Sequence, residues 1–201
     1  MPETTAAKPR TNYFLFDRSW AMNPARLPDR YPDQPGIFWT SGARFAQSMS
    51  EPIEITLKPF SPYDQSEEIA EYIKGPIPLF RDDLIASLQE AGVDNLDLYQ
   101  AELIDPDNGQ RYTTHKAVNV IGVIAAADLE QSAAIVNPGG PIIDVSFDSL
   151  VLDENKTRGA LMFRLAEATG EILVHRSVRD HLRQKGFTKL WFINPKKAAI
   201  L

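Results

Sequence analysis

The sequence predicts an α+β fold, a mainly antiparallel sheet with a few short helices. Three observations carry this. Apolar residues alternate over short runs, as in Ile53, Ile55 and Leu57, and a period of two marks half-buried strands. Eleven of the fifteen prolines fall in the first 80 residues, where each removes a hydrogen-bond donor and interrupts regular structure. A strand–helix–strand pattern occurs twice, at 77–100 and 171–194.

Taken in order, residues 1–11 read as a disordered lead and 12–201 as one α+β domain. The run at 12–17, "NYFLFD", reads as the first strand. Residues 25–36 read as loop, and 36–45 as a short apolar segment with turn residues inside it. A strand is expected at 53–60. The stretch 61–75 predicts a helix with Ile69, Tyr72 and Ile73 as its apolar stripe, Glu67 and Glu68 in its first turn, and Gly75-Pro76 as its stop. Asn108-Gly109 predicts a hairpin between 98–104 and 111–125, because both positions accept positive φ. "NPGGP" at 137–141 reads as a turn, and 142–154 as a strand with Val145 and Phe147 on one face.

The two strand–helix–strand copies, 79–99 and 173–193, align without a gap at an offset of 94. Leu84 matches Val178, Leu88 matches Leu182, Gly92 matches Gly186, and Leu98 matches Phe192. An i, i+4 apolar pair gives each helix its buried side. Gly92 and Gly186 supply the left-handed position after the helix. Asp82 or Asp83, and Ser177, are the expected caps. Between the copies, "FRLAEATGEILVH" reads as two strands around a turn at Thr169-Gly170.

Composition excludes several classes. Without cysteine there is no disulfide framework, no thiolate nucleophile and no cysteine-ligated zinc. No apolar run approaches the ~18–20 residues of a membrane span, and the N-terminus lacks the pattern of a secretory signal. A cytoplasmic chain without membrane contact is expected. The net charge of −6 is unevenly placed: −11 over 51–110 and +7 over 156–201. The acidic middle repels nucleic acid and suits a basic partner, while the basic end suits phosphate or the chain's own acidic middle.

Catalytic patterns fail one by one. His175 and His181 are six apart, not the i, i+4 of a helical zinc motif, and His115 stands alone in a strand. "DPDNG" at 105–109 breaks the calcium-loop pattern: its glycine comes early, and Lys116 stands where that loop needs glutamate. There is no GxSxG elbow and no phosphate-binding glycine loop. Arg176, Arg179 and Arg183 form one helical stripe, read as a solvated face or protein contact rather than a nucleic-acid surface. Trp20, Trp39 and Trp191 read as core or loop anchors. No cofactor and no metal are expected.

The order of segments nevertheless resembles a known family. The features are "YFLF" near the start with Trp20 close by, Gly42 to Phe45, and the run 77–99. Tyr112, Asn119, Asp128 and Ser132 follow. The closing signature runs through Phe163, Arg164, Leu165, Val178, Leu182, Gly186 and Phe192. The chain thereby resembles the eleventh immunity-protein family of bacterial polymorphic toxin systems. The resemblance implies an immunity protein that binds and neutralises a cognate toxin, such as a type VI secretion effector, without enzyme activity. It maps no binding surface.

Charge suggests one. Asp64, Glu67, Glu68, Glu71, Asp82, Asp83, Glu90, Asp94 and Asp97 form a candidate acidic face for a basic toxin. Two alternatives stand beside this. One is a self-associating scaffold, a homo-oligomer joining acidic copy to basic copy. The other is an enzyme whose site assembles from distant residues such as His175, Arg164 and Glu167.

Overall fold

The computed structural model describes residues 11–18, 26–61, 66, 68–136 and 145–200. Along the chain these form β1 (Tyr13–Arg18), β2 (Pro28–Arg30), β3 (Ile53–Leu57), β4 (Tyr72–Ile73) and β5 (Leu79–Arg81). Then come α1 (Asp82–Glu90), β6 (Leu96–Ile104), β7 (Arg111–Tyr112), β8 (His115–Val120), β9 (Val123–Ile124), β10 (Ala133–Val136) and β11 (Val145–Ser149). The chain closes with β12 (Met162–Leu165), β13 (Ala168–His175), α2 (Arg176–Gln184) and β14 (Leu190–Ile193). The α+β class and the mainly antiparallel pairing are as the alternation predicts. Among the described strands, β3 on β6 and β9 on β12 run parallel, and the isolated bridge between Arg26 and Ile69 is parallel too.

One sheet has the order β14-β1-β13-β12-β9; a second has β2-β3-β6-β8-β5-β4, with β7 also on β6; β10 and β11 pair alone. The two strand–helix–strand copies are superposable in register. β5 and β6 flank β8, and β13 and β14 flank β1. Leu79 and Tyr99 both oppose Ala117; their counterparts Leu173 and Ile193 both oppose Leu15. Leu98 opposite Val118 answers Phe192 opposite Phe16, and Asp97 opposite Asn119 answers Trp191 opposite Asp17. Even the next strand agrees: Tyr72 opposes Phe80 as Met162 opposes Val174. Read in chain order, each repeat is a lead strand followed by strand, strand, helix, strand. The lead strands are crossed. β1 begins the first repeat but fills the sheet of the second, and β8 begins the second but fills the sheet of the first.

The helix ends repeat as closely. Gly92 N–H donates to Gln89 O and Val93 N–H to Leu88 O; Gly186 N–H donates to Arg183 O and Phe187 N–H to Leu182 O. This is the Schellman pattern, and the glycines take φ of +93° and +90°, where a Cβ is disfavoured. The starts differ from expectation. No side chain caps α1, whose first turn carries Asp82 and Asp83. His175, not Ser177, caps α2, its Nδ1 accepting from Ser177 N–H at 3.2 Å.

Both helices bury their i, i+4 pairs in one shared core. Leu84, Leu88, Val178 and Leu182 have no exposure and join Phe14, Val118, Ile172 and Val174 there. Each such side chain contributes about 1.5–3 kcal/mol by burial. Phe16, Tyr72 and Phe80 join the two sheets at its centre: Phe16 stacks on Tyr72 at 4.8 Å, and Phe80 meets Tyr72 edge-on at 5.0 Å. Each sheet buries its other face separately. Leu15, Phe163 and Leu173 pack under β10 and β11; Ile53, Ile55, Leu57 and Leu103 pack under the segment holding Trp39.

Tertiary packing overrides the helix expected at 61–75. Among its described residues, Ile69 bridges Arg26 and 72–73 form β4. Tyr72 faces the shared core and Ile73 the outer one, so adjacent residues need opposite faces, which a strand supplies and a helix does not. Within 25–36, Pro28–Arg30 pairs with β3 rather than looping freely. The 108–109 hairpin forms, but only Gly109 takes positive φ. The turn between β12 and β13 falls at Ala166-Glu167, not at Thr169-Gly170, because Glu167 is drawn inward, its Oε1 accepting from Ala127 N–H at 3.3 Å. Val145 and Phe147 share a buried face as expected. The predicted lead through residue 10, Trp20 and the 137–141 turn lie outside the described residues.

Candidate functional site

The acidic face is largely occupied by cations of its own chain. Asp64 and Glu67 lie outside the described residues. Arg81, at the end of β5, gathers three of the others: Asp83 at 2.7 Å, Glu71 at 3.5 Å and Glu68 at 3.8 Å. The bond from Arg81 holds Asp83 below the usual carboxylate range, whereas burial pushes Glu71 up. Glu68 also pairs with Lys189, Asp82 with Lys116 at 3.0 Å, and Asp97 with Arg44. Glu90 holds Lys185 at 2.6 Å, with His181 at 3.6 Å, and the lysine lowers its pKa. Asp94 is exposed and in no ion pair among the described residues.

The charge asymmetry is therefore spent in part inside the molecule. Glu90–Lys185 joins the acidic copy to the basic one, Glu68–Lys189 joins the segment before the acidic copy to the basic one, and Lys74 of that segment reaches Glu171 at 2.7 Å. The arginine stripe is similarly engaged: Arg176 donates to Thr11 O, Arg179 lies 4.1 Å over the Phe14 ring and Arg183 5.6 Å over Phe192.

The distant residues of the enzymatic alternative do not converge. Arg164 is buried on the core side of β12, where burial lowers its pKa, and its Nη1 donates to Thr169 O at 2.9 Å. Glu167 is buried toward the opposite side of that sheet, where burial raises its pKa. His175 caps α2. None of them lines three clefts formed by the described residues. The first, about 490 Å³, lies between Asn12, Asp128, Asp153, Glu154 and Lys196. The second, about 710 Å³, lies between the loops around Gln34 and Glu51. The third is smaller, about 360 Å³, at the end of α1 around Gly92. No group of three or more metal-ligating side chains occurs among the described residues. His115 is buried, its Nε2 3.0 Å from Ala70 O and its Nδ1 3.1 Å from Thr114 Oγ1, and desolvation lowers its pKa.

What sequence reasoning missed is an edge. β14 is the terminal strand of its sheet and pairs only with β1 among the described residues. Trp39 is an anchor as expected, 5% exposed with Nε1 donating to Gln34 at 2.7 Å. Trp191, on β14, is instead 41% exposed. The signal was in the sequence: the apolar run "LWFI" lies within 183–197, which holds five cations and no carboxylate. Which side of that run is covered depends on β1, far away in the chain.

Residues 88–197 match the immunity protein family Imm11. The chain belongs to that family. The matched region takes in the end of α1, β6, and the whole second repeat, including the signature residues from Phe163 to Phe192. No curated protein matches the chain in sequence. Membership makes this an immunity protein, with a cognate toxin as its partner in general, in a family generally without catalysis. Among the described residues no helix is long and apolar enough to cross a membrane.

Proposed function

We propose that this immunity protein acts in the cytoplasm by binding its cognate toxin and occluding the toxin's active site, with no catalytic step of its own. The family match over 88–197 carries the reading. The separation of His175, Arg164 and Glu167 agrees with it.

In this reading the acidic stretch, from Asp64 to Asp97, meets a basic toxin during encounter. Six of its seven described carboxylates already hold a cation. Their contribution is then to the association rate, which long-range charge governs, more than to the residence time. Reversing Asp94 and Glu68 to lysine should slow association and weaken its salt dependence. An unchanged rate removes the acidic face from the proposal.

The main test is genetic. Co-expression with the toxin encoded by the adjacent gene should restore growth, and the purified pair should form a complex. Failure of both overturns the function proposed.

A further inference from the structure

The cleft of about 710 Å³ between the loops around Gln34 and Glu51 carries charge of one sign. Asp33, Glu51 and Glu54 line it, and no lysine, arginine or histidine does. The cleft beside Asn12, by contrast, mixes Asp128, Asp153 and Glu154 with Lys196. The floor of the larger cleft is apolar. Ile37 and Met49 pack, partly buried, against the core that holds Trp39, and Ile53 belongs to that core. Its two loops are tied together, Gln47 Nε2 donating to Pro35 O at 2.9 Å. Pro32, Pro35 and Pro52 have fixed φ and no N–H, so the lining is stiff and poorer in donors than in acceptors. The carboxylates are less engaged than those of the acidic stretch. Asp33 and Glu51 are exposed, and neither is in an ion pair among the described residues. Glu51 Oε2 accepts from Gln100 N–H, closing the part of the β6 edge that β3 does not reach. Glu54 shares Arg111 with Glu102.

We propose that this cleft receives a short basic segment of the cognate toxin and seats an arginine side chain among Asp33, Glu51 and Glu54. This rests on the toxin-binding function proposed above. Charge selects the occupant's sign, and spacing selects its size. The three carboxylates do not converge as the ligands of one metal ion do, so the matching cation is larger and brings several donors. A guanidinium has five N–H donors in a planar fork and is weakly hydrated. Its stem can lie on Met49 and Ile37 while its head meets the acceptors. Because the walls are tied before binding, little ordering is left to oppose it. The two acidic regions then divide the work. The stretch from Asp64 to Asp97 guides encounter, and the cleft sets how long the complex lasts.

The experiment uses the full chain and the catalytically inactivated toxin encoded by the adjacent gene. Asp33→Asn with Glu51→Gln keeps side-chain shape and an acceptor at each position. It should raise the dissociation rate about tenfold, the loss of charge assistance at one contact. Ser48→Arg, which puts a cation among the lining residues, should weaken binding at least as much. All three positions are exposed, so the free variants should melt as the parent does. Asp94→Asn, outside the cleft, should leave the dissociation rate unchanged. The methyl resonance of Met49 should shift when the complex forms, and that of Met162, buried in the shared core, should not. Parental dissociation rates in the double variant and in Ser48→Arg, or a Met49 methyl that does not move in the complex, overturn the cleft proposal and leave toxin binding intact. A Met49 methyl that shifts with protein concentration alone, with a dimer in sedimentation, overturns it in favour of a second copy. No complex at all removes the toxin-binding reading, and the cleft proposal falls with it.

Discussion

In the first repeat the sheet edge is sealed and the charge is acidic; in the second no strand among the described residues covers the edge, and the charge is basic. The backbone frame is the same in both, down to which residue opposes which across three strand pairs and to the hydrogen bonds that end each helix. The frame is thus set by a small group of positions: the i, i+4 pair, the glycine after the helix, and the apolar residues of the flanking strands. The other positions differ between the repeats, in charge and in edge chemistry, the properties that meet other molecules.

If the shared core is what joins the repeats, truncating either helix should unfold both. Leu88→Ala and Leu182→Ala should each cost about 2–5 kcal/mol, and in both variants circular dichroism and tryptophan fluorescence should report a single coincident transition. Two separated transitions would show that the repeats are independent units. Next in size are the glycines. Both need positive φ, so alanine should cost about 1–2 kcal/mol at either, but a Cβ on Gly92 would lie 3.1 Å from Leu161 Cδ1 whereas one on Gly186 meets nothing within 4 Å. Gly92→Ala should therefore lower the melting temperature more than Gly186→Ala; the reverse order would refute the packing difference.

A third contrast concerns pH. His115, in the sheet of the first repeat, answers Tyr13, in the sheet of the second, each opposite the last residue of the strand before the helix. The buried imidazole has its pKa lowered from 6.5, chiefly by desolvation. Arg81 opposite it lowers it further, while the Ala70 carbonyl and the Asp82 and Asp83 carboxylates act against that. A folded-state pKa below the unfolded value means stability is present above 6.5 and is lost as pH falls through the folded value. Buried Glu167, raised by desolvation, has the opposite sign at lower pH. Acidification just below pH 6.5 should thus loosen amides of β5 and β8 before those of β1 and β13, and His115→Gln should abolish the difference. Equal loosening in both sheets would count against it. The smallest effect is at the pair that joins the two charges: Glu90→Gln should lower the melting temperature least of all these variants, since Glu90 and Lys185 are both about half exposed, and the change should vanish in high salt.

How much of this was legible depended on distance along the chain. The strand–helix–strand copies, the glycine stops and the buried pairs are local patterns, and they were readable. The 61–75 segment was misread because its Tyr72 and Ile73 are claimed by two different cores, one of them built from β1 and the second repeat. The capping role of His175 was hidden because the residue reads equally well as the end of a strand. The acidic face looked continuous in sequence, yet its partners Lys116, Lys185 and Lys189 come from elsewhere in the chain. Trp191 looked like an anchor because nothing in "KLWFIN" tells which strand will lie beside it.

The crossing of the lead strands has a consequence for synthesis. The first strand to leave the ribosome, β1, finds its neighbours β13 and β14 only when the last of the chain has emerged. Until then β1 has neither of its neighbouring strands, and vectorial folding of the first half cannot finish the sheet that β1 belongs to. A message cut short before β13 yields a product with Phe14 and Phe16 unpaired and no second sheet, so protection would come only from completed translation.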